Sequence, residues 1–542
     1  MPASRDQAGS VVSLTSVTSF DELLRRHASA APDEVAVRER HLGLWRDLSW
    51  SWLRDAVDRV ADRLRAEGVT PGAAVVLIGR PSPQWLVGEL AALQVGAAVH
   101  TVADRPVRGA IQRVRAVPEL RAVLVAHADA RRSDAMAGEV GGALAEHSIT
   151  VPIVSVRSAA TDDAASPGRD PGQPATPGTV VVPTAGTSGE YRWIALDEAI
   201  VIERWGTLLD RFTVRHSDRV VVGGSLDYWA NRLALLTSCL VRCAVLHFND
   251  DGVADQATRA QVRPTVLWST SRDWSSLAGL IGADLLVAAG WIVRLGFRRL
   301  GGRHGPRPAG RVLDVILVRP MLRQLGLSRV RAAWAFGDRM PDRTVAAWSS
   351  WGIPLSECYA RAEHGGVVAA RLVTGGRPAP DFTFLDGDAP GPGDLLAAGP
   401  LSPADATVTR ADGAVAIVSD TTHAAAADDG RRALFESALR ESPYVSEALV
   451  FDADGESVLV LEPNIPGLLP WARAAGLRFT SVDRLVTLPE VRELVTGLID
   501  AAARPGVAAP TRVIVVPDLA AVRGGTLVSC SGRPRRQVIA ET

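Results

Sequence analysis

Short apolar runs alternate with helix-like segments along the first third of the chain, and this alternation constrains the fold more than any other feature. The runs lie at AVVLIG (74–79), AVLVA (122–126) and VPIVSV (151–156). Apolar residues at helical spacing lie around them, at 20–31, 52–66 and 85–95. Strands that are apolar on both faces are typical of parallel sheets covered by helices. The sequence therefore predicts an α/β fold.

The 542 residues divide at a change in composition near residues 400–430. We expect a large N-terminal domain of parallel and mixed sheets with helices at 1–418, and a small, shortened α+β domain at 419–542. A helix at 431–442 and strands within 445–464 would open the small domain. The segment 158–178, rich in Ala, Pro, Gly and Asp, predicts a mobile loop within the large domain.

Charge and cysteine content exclude several classes of protein. The 59 basic residues nearly balance the 60 acidic residues, which excludes a broad basic surface for nucleic acid. Four cysteines cannot form a disulfide scaffold at this length, so a reducing cytoplasm is expected. The most apolar stretch, Leu277–Val293, has 17 residues and contains Asp284. It predicts a buried or surface-docked helix with no stable membrane insertion.

The chain contains no lysine, so all 59 basic residues are arginines. A GC-rich genome favours arginine codons, and a protein that handles a lysine-reactive compound would benefit from the same composition. Whatever the cause, the absence of lysine excludes a Schiff base, a phosphate-loop lysine and a lysine general base.

One loop carries the strongest local signal for chemistry. The strand-like run TVVVPT (179–184) leads directly into Thr184-Ala-Gly-Thr-Ser-Gly189. Small hydroxyl and glycine residues after a strand expose backbone N–H groups that can hold phosphates without a large positive charge. A plain Gly/Ser surface turn is the alternative interpretation of this segment taken alone.

The loop and five further segments resemble the adenylate-forming superfamily of acyl-CoA synthetases, adenylation domains and luciferases. TAGTSGEYR (184–192) resembles the family's T-S-G-T-T-G-x-P-K phosphate loop, and ECYARAEHGG (357–366) resembles its Y-G-x-T-E motif. The remaining segments are closest to the long-chain fatty acyl-CoA synthetase branch: GSLDYWANR (224–232), PTVLWSTSRDW (264–274), WAFGDRMP (334–341) and GGTLVSCSGRPRRQV (524–538).

The resemblance implies a two-step ligase. A small-molecule carboxylate attacks the α-phosphate of ATP, with Mg²⁺ bound, to give an acyl-adenylate and pyrophosphate. CoA, or a carrier protein in its place, then displaces AMP and receives the acyl group. Such enzymes work mainly by positioning and by charge neutralisation. The oligomeric state is open.

The resemblance also assigns roles to residues. Glu363 would coordinate magnesium, and Tyr359 would stack near the adenine. Tyr228 would lie beside the substrate. Two residues would line the nucleotide and acyl pocket, Gly337 and Asp338. The phosphates would be held by Thr184, Gly186, Thr187, Ser188 and Gly189.

The departures from the family's motifs are equally specific. Arg192 replaces the loop lysine, and Ala362 replaces the threonine of Y-G-x-T-E. Arg533 takes the place of the C-terminal lysine if one residue is inserted, and Gly532 does so otherwise. The chain has 36 residues between Gly399 and Glu436, fewer than the family uses there for a ribose-binding Asp and a hinge. Asp420 would be either that Asp or a hinge residue.

Three hypotheses follow for the function. The first is a divergent carboxylate-activating ligase of bacterial specialised metabolism, in which Glu363, Arg192 and Arg533 are catalytic. The second is a pseudo-enzyme that keeps the fold as a binding or scaffolding protein. The third is an ATP-independent enzyme that acts on a preactivated or reactive intermediate.

Overall fold

The structure is a computed structural model. It describes residues 17–103, 107–127, 129–161, 176–184, 192–250, 256–288, 318–337, 340–362, 365–371, 373–374, 377–378, 383–384, 405–409, 415–420, 427–453, 456–503, 510–519, 522, 527–528 and 534–540.

Helices begin where the sequence supplies caps. Ser19, Ser49 and Ser82 precede the first three helices, and each serine Oγ accepts a hydrogen bond from a first-turn N–H. The helices of the described residues are α1 (Phe20–Ala30), α2 (Trp50–Ala66), α3 (Pro83–Gln94), α4 (Val107–Arg115), α5 (Ala130–Ala145), α6 (Val156–Thr161), α7 (Glu198–Arg211), α8 (Trp229–Arg242), α9 (Gln256–Val262), α10 (Ser271–Ala288), α11 (Arg319–Gln324), α12 (Asp342–Ser350), α13 (Ala427–Arg440), α14 (Ile465–Ala474), α15 (Val482–Val486), α16 (Pro489–Ala502) and α17 (Arg536–Ala540).

The strands include all of the apolar runs expected from the sequence. They are β1 (Val35–His41), β2 (Leu44–Ser49), β3 (Ala74–Gly79), β4 (Ala98–Val102), β5 (Leu120–Ala126), β6 (Ile153–Ser155), β7 (Thr179–Pro183), β8 (Trp193–Asp197), β9 (Arg219–Val221), β10 (Val245–Phe248), β11 (Val266–Thr270), β12 (Ala332–Phe336), β13 (Leu355–Arg361), β14 (Gly366–Arg371), β15 (Val373–Thr374), β16 (Arg377–Pro378), β17 (Thr383–Phe384), β18 (Asp405–Thr409), β19 (Val415–Asp420), β20 (Val445–Ala453), β21 (Glu456–Pro463) and β22 (Arg512–Val515).

Two large sheets carry the N-terminal part of the chain. One sheet has the strand order β6-β5-β3-β4-β7-β8 and is parallel except for β8, which pairs antiparallel with β7. The other has the order β17-β14-β13-β12-β11-β9-β10-β1-β2. Its strands from β13 to β1 are parallel, and antiparallel strands form its two edges. Parallel strands explain why the apolar runs lack alternation.

Helices fill the space between the two sheets and cover their outer faces. Apolar residues of α1, α2, α3, α7 and α8 form one continuous core with the facing strands of both sheets. Residues of α4 and α5 cover the outer face of the six-stranded sheet. Residues of α10, α11 and α12 cover the outer face of the nine-stranded sheet. The α/β prediction is confirmed.

The C-terminal part forms a smaller unit with its own core. Strands β20, β21 and β22 make a three-stranded sheet, and α13 and α16 pack on it through Phe435, Leu439 and Ile499. The boundary at residues 418 and 419 stays a prediction.

Two expectations change in detail. The loop expected at 158–178 begins later, because residues 158–161 complete helix α6. There Arg59 Nε donates to the carbonyl of Ala160 at 2.6 Å, and Ala160 is buried. Residues 162–175 lie outside the described residues. The apolar stretch from Leu277 belongs to α10 as far as Ala288. Within the described part of the chain, no helix is long and apolar enough to cross a membrane.

A buried ion pair ties the six-stranded sheet to the helices between the sheets. Arg232 of α8 and Glu89 of α3 are 1% and 0% exposed, and Arg232 Nε lies 3.1 Å from Glu89 Oε1. Arg232 also donates to the carbonyls of Val181 in β7 at 2.7 Å and of Val99 in β4 at 2.9 Å. Thr101 Oγ1 donates to the second oxygen of Glu89 at 3.1 Å. The charges are therefore compensated, as buried charges must be.

Removing one partner of this pair should destabilise the fold strongly. Arg232→Met leaves Glu89 as an uncompensated buried charge, so we expect a loss of about 3–5 kcal/mol in the free energy of unfolding, measured by urea denaturation. Adding Glu89→Leu should recover most of that loss. The control is Arg38→Met, which breaks an exposed pair with Asp47 and should cost at most about 1 kcal/mol. Equal losses for Arg232→Met and Arg38→Met would contradict this account.

Candidate functional site

The loop expected to bind phosphate is the connection of a β-hairpin. Strands β7 and β8 pair with Pro183 opposite Trp193, and the pairing extends one residue further. The N–H of Thr184 donates to the carbonyl of Arg192 at 2.8 Å, and the N–H of Arg192 donates to Thr184 Oγ1 at 3.1 Å. Two predicted site residues thus lie side by side at the base of the loop. Gly186, Thr187, Ser188 and Gly189 lie outside the described residues.

A second segment of the site is a turn held against this hairpin. The N–H of Gly365 donates to the carbonyl of Ala362 at 2.9 Å, so the chain turns between them. Trp205 of α7 donates from Nε1 to the carbonyl of Gly365 at 3.0 Å. Gly365 has φ +62°, and a methyl group placed on it would lie 3.2 Å from Cδ2 of Leu196 in β8. Gly365 is therefore packed on the hairpin whose base carries Arg192.

Glu363 itself, with His364, lies outside the described residues. Ala362 and Gly365 are the described residues on either side of this pair. The replacement Ala362 is 4% exposed, so its methyl group is buried where the family's threonine would place a hydroxyl.

Neighbouring strand ends supply the next residues. Strands β12 and β13 are parallel, with Phe336 opposite Cys358. Gly337 directly follows β12, and Tyr359 lies one residue beyond Cys358. Gly337 has φ +113°, a conformation that L-residues rarely adopt. Because the carboxyl ends of parallel strands meet at one edge of a sheet, both residues lie where ligands of α/β proteins usually bind. Asp338 lies outside the described residues.

Tyr228 stands at the start of α8 within a group of aromatic rings. Its ring centroid is 6.3 Å from that of Phe336, with an interplanar angle of 75°. Trp229 and Trp205 complete the group. Neighbouring rings meet edge-to-face or tilted, with 5.9 to 6.4 Å between their centroids. All four side chains are at most 4% exposed. We call these residues the aromatic cluster.

The sequence interpretation missed the residue that anchors Tyr228. Asp227, 4% exposed, accepts a hydrogen bond from the N–H of Ala103 and forms an ion pair with Arg113 of α4. These contacts fix the start of α8 to the carboxyl end of β4. Asp227 lies within the segment GSLDYWANR, but nothing in the sequence indicates that its partner is Arg113, 114 residues away.

Two predicted residues are not brought to this place by the described contacts. Asp420 ends β19, where it pairs opposite Asp405 in a separate two-stranded sheet. Arg533 lies outside the described residues, just before Pro534, which pairs with Val528 in the C-terminal unit. The roles of both residues stay predictions. In the described ranges, no group of three or more His, Cys, Asp or Glu side chains could hold a metal ion.

A buried histidine lies beside the hairpin base. The ring of His100 in β4 meets the ring of Trp193 edge-on, with 4.7 Å between centroids. Burial, together with the charge of Arg232, lowers the pKa of His100 to about 4. His247 in β10 is similar, because burial lowers its pKa to about 4 despite a hydrogen bond to the carbonyl of Val245. Both rings are therefore neutral at pH 7.

A buried carboxylate fixes the other end of the hairpin. Glu198, at the start of α7, accepts hydrogen bonds from the N–H groups of Phe20 at 2.6 Å and Gly178 at 2.7 Å. Burial raises the pKa of Glu198 to about 8, although both hydrogen bonds act against the rise. Glu198 joins the strand that leads into the loop, the helix that carries Trp205 and the start of α1.

Taken together, the described residues form a hairpin base with an exposed arginine, a turn next to it, and the end of β12 beside β13. Backbone N–H groups and an arginine can hold an anion. The aromatic cluster is buried in the core at the same edge of the sheet and supports these elements. The arrangement suits an anionic ligand.

Comparison with known proteins matches the chain to a family. The family described as AMP-binding enzyme matches residues 24–390, which is more than half of the chain. The 3-hydroxybenzoate–CoA ligase of Aromatoleum sp. (strain CIB) is 27% identical over 276 residues, covering 46% of this chain. The match spans about half, 51%, of that relative's length.

Solved structures share the fold over nearly the whole chain. The A-PCP didomain of carboxylic acid reductase from Segniliparus rugosus, in complex with AMP, has a TM-score of 0.70 and 15% identity. That match covers 97% of this chain and 81% of the didomain. A benzoate CoA ligase from Burkholderia xenovorans LB400 has a TM-score of 0.64 and 14% identity, covering 97% of this chain and 100% of that one.

The neutral histidines predict how stability depends on pH. Their folded-state pKa of about 4 lies below the ordinary value of 6.5, so the unfolded chain binds more protons between those values. The free energy of unfolding should fall as pH is lowered from about 6.5 to about 4. Each histidine should contribute up to about 1.4 kcal/mol per pH unit.

The variant His100→Phe should reduce this slope, because phenylalanine keeps the edge contact with Trp193 and does not titrate. The measurement is urea denaturation at several pH values between 4 and 7. The control is His216→Gln, whose side chain is 66% exposed. If His100→Phe shows the slope of the unaltered protein, the neutral state of His100 is not what stabilises the fold.

Proposed function

Because the chain belongs to the AMP-binding enzyme family, we propose that it is an ATP-dependent ligase that activates a carboxylic acid as its adenylate. The carboxylate oxygen would attack the α-phosphorus of ATP. The bond from that phosphorus to the β-phosphate oxygen would break, and pyrophosphate would leave. A thiol would then attack the acyl carbon, lose its proton and release AMP.

One observation carries the proposal. The hairpin that bears Thr184 and Arg192 packs against the turn that follows Ala362, through Leu196 and Gly365. Two segments of different sequence regions, each resembling a family motif, thereby lie together. Gly337 directly follows β12, and Tyr359 lies in β13 just beyond the last pairing of these two strands. A chance resemblance of separate segments would not require this juxtaposition.

The roles expected from the sequence become part of the proposal. The phosphates would be held by Thr184, Gly186, Thr187, Ser188 and Gly189. Tyr359 would stack on the adenine, with Gly337 and Asp338 beside it. Glu363 would hold Mg²⁺, which neutralises phosphate charge when bound.

Two arginines would supply charges that the family takes from lysines. Arg192 is exposed at the hairpin base, where its guanidinium can turn toward a bound phosphate. An arginine keeps the positive charge but offers a planar set of donors, so it binds two oxygens of one phosphate more readily than an ammonium group does. Arg533 would approach from the C-terminal unit. Asp420 would serve either the ribose or the hinge.

We propose that the acid is aromatic. Two of the similar proteins, a 3-hydroxybenzoate–CoA ligase and a benzoate CoA ligase, are named for aromatic acids. Fatty acids, which the closest sequence resemblance suggests, are the comparison series in a substrate screen. A role in specialised metabolism in the bacterial cytoplasm belongs to the same proposal.

The acceptor would be CoA or a carrier protein. Ligases named for CoA and an adenylation domain joined to a PCP are both among the similar proteins. Thioester formation on free CoA and on a purified carrier protein would separate the two acceptors.

The alternative is a family member that no longer adenylates. The buried methyl group of Ala362, at a position where the family has a hydroxyl, and the shortened stretch before Glu436 favour it. Such a protein would be a binding or scaffold protein, or would act on a preactivated intermediate without ATP.

Calorimetric titration of Mg·ATP and of AMP separates these functions without knowledge of the acid. We expect saturable binding that Thr187→Ala weakens about 10-fold or more, because a hydrogen bond to a charged group contributes about 1.5–3 kcal/mol. The control is Thr207→Ala, whose hydroxyl bonds the carbonyl of Glu203 on an exposed helix surface. An absence of heat and of thermal stabilisation at millimolar nucleotide would favour the alternative.

Glu363→Ala tests turnover. With an acid that supports pyrophosphate release, the variant should lose about 10²–10³ in kcat, the size expected when a preorganised charge contact is removed. Glu493→Ala, an exposed glutamate of α16, should leave the rate unchanged. Full Mg-dependent activity in Glu363→Ala would remove Glu363 from the site.

A further inference from the structure

The C-terminal unit meets the large domain at the ends of two helices. Helix α12 begins after Pro341, which offers no side-chain cap. Glu441, just beyond the end of α13, supplies it, since Glu441 Oε1 accepts a hydrogen bond from the N–H of Asp342 at 3.0 Å. A carboxylate at this end of a helix also satisfies the helix dipole.

The same contact is reciprocal. Arg343, in the first turn of α12, donates from Nη2 to the carbonyl of Arg440 at 3.0 Å and to that of Ser442 at 2.5 Å. These carbonyls lie at the carboxyl end of α13, where intrahelical partners are lacking and positive charge is favoured. Each helix is thus capped by a charged side chain of the other unit. We call this contact the capping pair.

Arg371 connects the capping pair to the interior of the nine-stranded sheet. Its Nη1 lies 2.8 Å from Oδ1 of Asp342 and 2.9 Å from Oε2 of Glu357. Arg371 and Glu357 are 5% and 2% exposed, whereas the side chain of Asp342 is 61% exposed. Burial alone would lower the pKa of Arg371, but the two carboxylates raise it, so the guanidinium stays charged.

Glu357 in turn holds the backbone beside the candidate site. Its Oε1 accepts a hydrogen bond from the N–H of Met340 at 2.7 Å, and this bond is buried. Met340 follows three residues after Gly337, at the carboxyl end of β12. A continuous series of charged hydrogen bonds therefore runs from Glu441 in the C-terminal unit through the backbone of Asp342 and its carboxylate. It continues through Arg371 and Glu357 to Met340.

We propose that Arg371 is a positioning residue that links docking of the C-terminal unit to the backbone at Met340. When Glu441 caps α12, the first turn of that helix holds the Asp342 carboxylate against Arg371. Arg371 then orients Glu357, and Glu357 fixes the Met340 N–H. The consequence for nucleotide binding at Gly337 rests on the proposed function, but the link itself does not.

Hydrogen exchange of two amides tests the link. Mass spectrometry with residue-level fragmentation can follow Met340 and Asp342 in the full chain. Glu441→Ala removes the cap, so the Asp342 amide should exchange faster. The link predicts that the Met340 amide also exchanges about 3- to 10-fold faster, although Met340 makes no bond to Glu441. Glu493→Ala, on α16 of the same unit, should change neither amide.

The matched variants are made at Asp342. Arg371→Leu is not used, because it would leave the buried Glu357 without its ion-pair partner and would destabilise the fold. Asp342→Asn should raise exchange at Met340, and Glu441→Ala added to it should raise it no further. Asp342→Glu keeps the carboxylate and should restore most of the Met340 protection, which a merely structural loss would not allow.

The outcomes separate the link from the proposed function. Faster exchange at Asp342 with Met340 unchanged within 1.5-fold would overturn the link, and so would no change at either amide. Mg·ATP affinity should weaken about 3- to 10-fold in Asp342→Asn and recover in Asp342→Glu. If the unaltered protein binds no nucleotide but Met340 responds as expected, the proposed function fails and the link stands.

Discussion

The buried pair of Arg232 and Glu89 is the interaction on which the rest of the structure depends. It joins β4 and β7 to α3 and α8 inside the core that both large sheets share. Tyr228 precedes α8, which begins at Trp229, and β7 leads into the hairpin base at Thr184. One guanidinium thus connects the helix that carries part of the aromatic cluster to the strand that leads into the hairpin base. Replacing either partner disturbs a core and a site together, since a buried charge without a partner costs about 3–5 kcal/mol.

The sequence allowed most of the fold to be predicted, because its strongest signals are local. The run at 74–79 is a buried parallel strand with those bounds, and the helical spacing at 20–31 corresponds to helix α1, which ends at Ala30. Such elements follow from apolar spacing and from serine caps, which act within a few residues. The order of strands in the two sheets was not predictable in this way. Pairings such as Val37 with Leu246 join residues about 200 positions apart, and no local pattern encodes them.

The sequence predicted which residues belong to the candidate site, but not the contacts that hold them in place. The loop after the run at 179–184 and the segment 357–366 were expected from motifs, whereas the hairpin and its packing through Leu196 and Trp205 were not. Trp205 occurs in an ordinary amphipathic helix, and its hydrogen bond to Gly365 depends on how α7 crosses the sheet edge. Glu357 lies two residues before Tyr359 in the same motif. Its orientation as a backbone anchor depends on Arg371, which β14 places opposite it.

The contact between the two units differs in kind from the cores within them. In the described residues it combines the close approach of α10 and α14 with several charged or polar contacts: the capping pair, Arg272 with Glu462, and Asn464 packed near Gly279 of α10. Burial raises the pKa of Glu462 to about 7 even beside Arg272, so this carboxylate is held in the folded state at some cost. A helix cap contributes about 0.5–2 kcal/mol, far less than the apolar core of either unit. Breaking these polar contacts alone therefore costs less than opening either core, and the proposed series of bonds through Arg371 would transmit their loss to Met340.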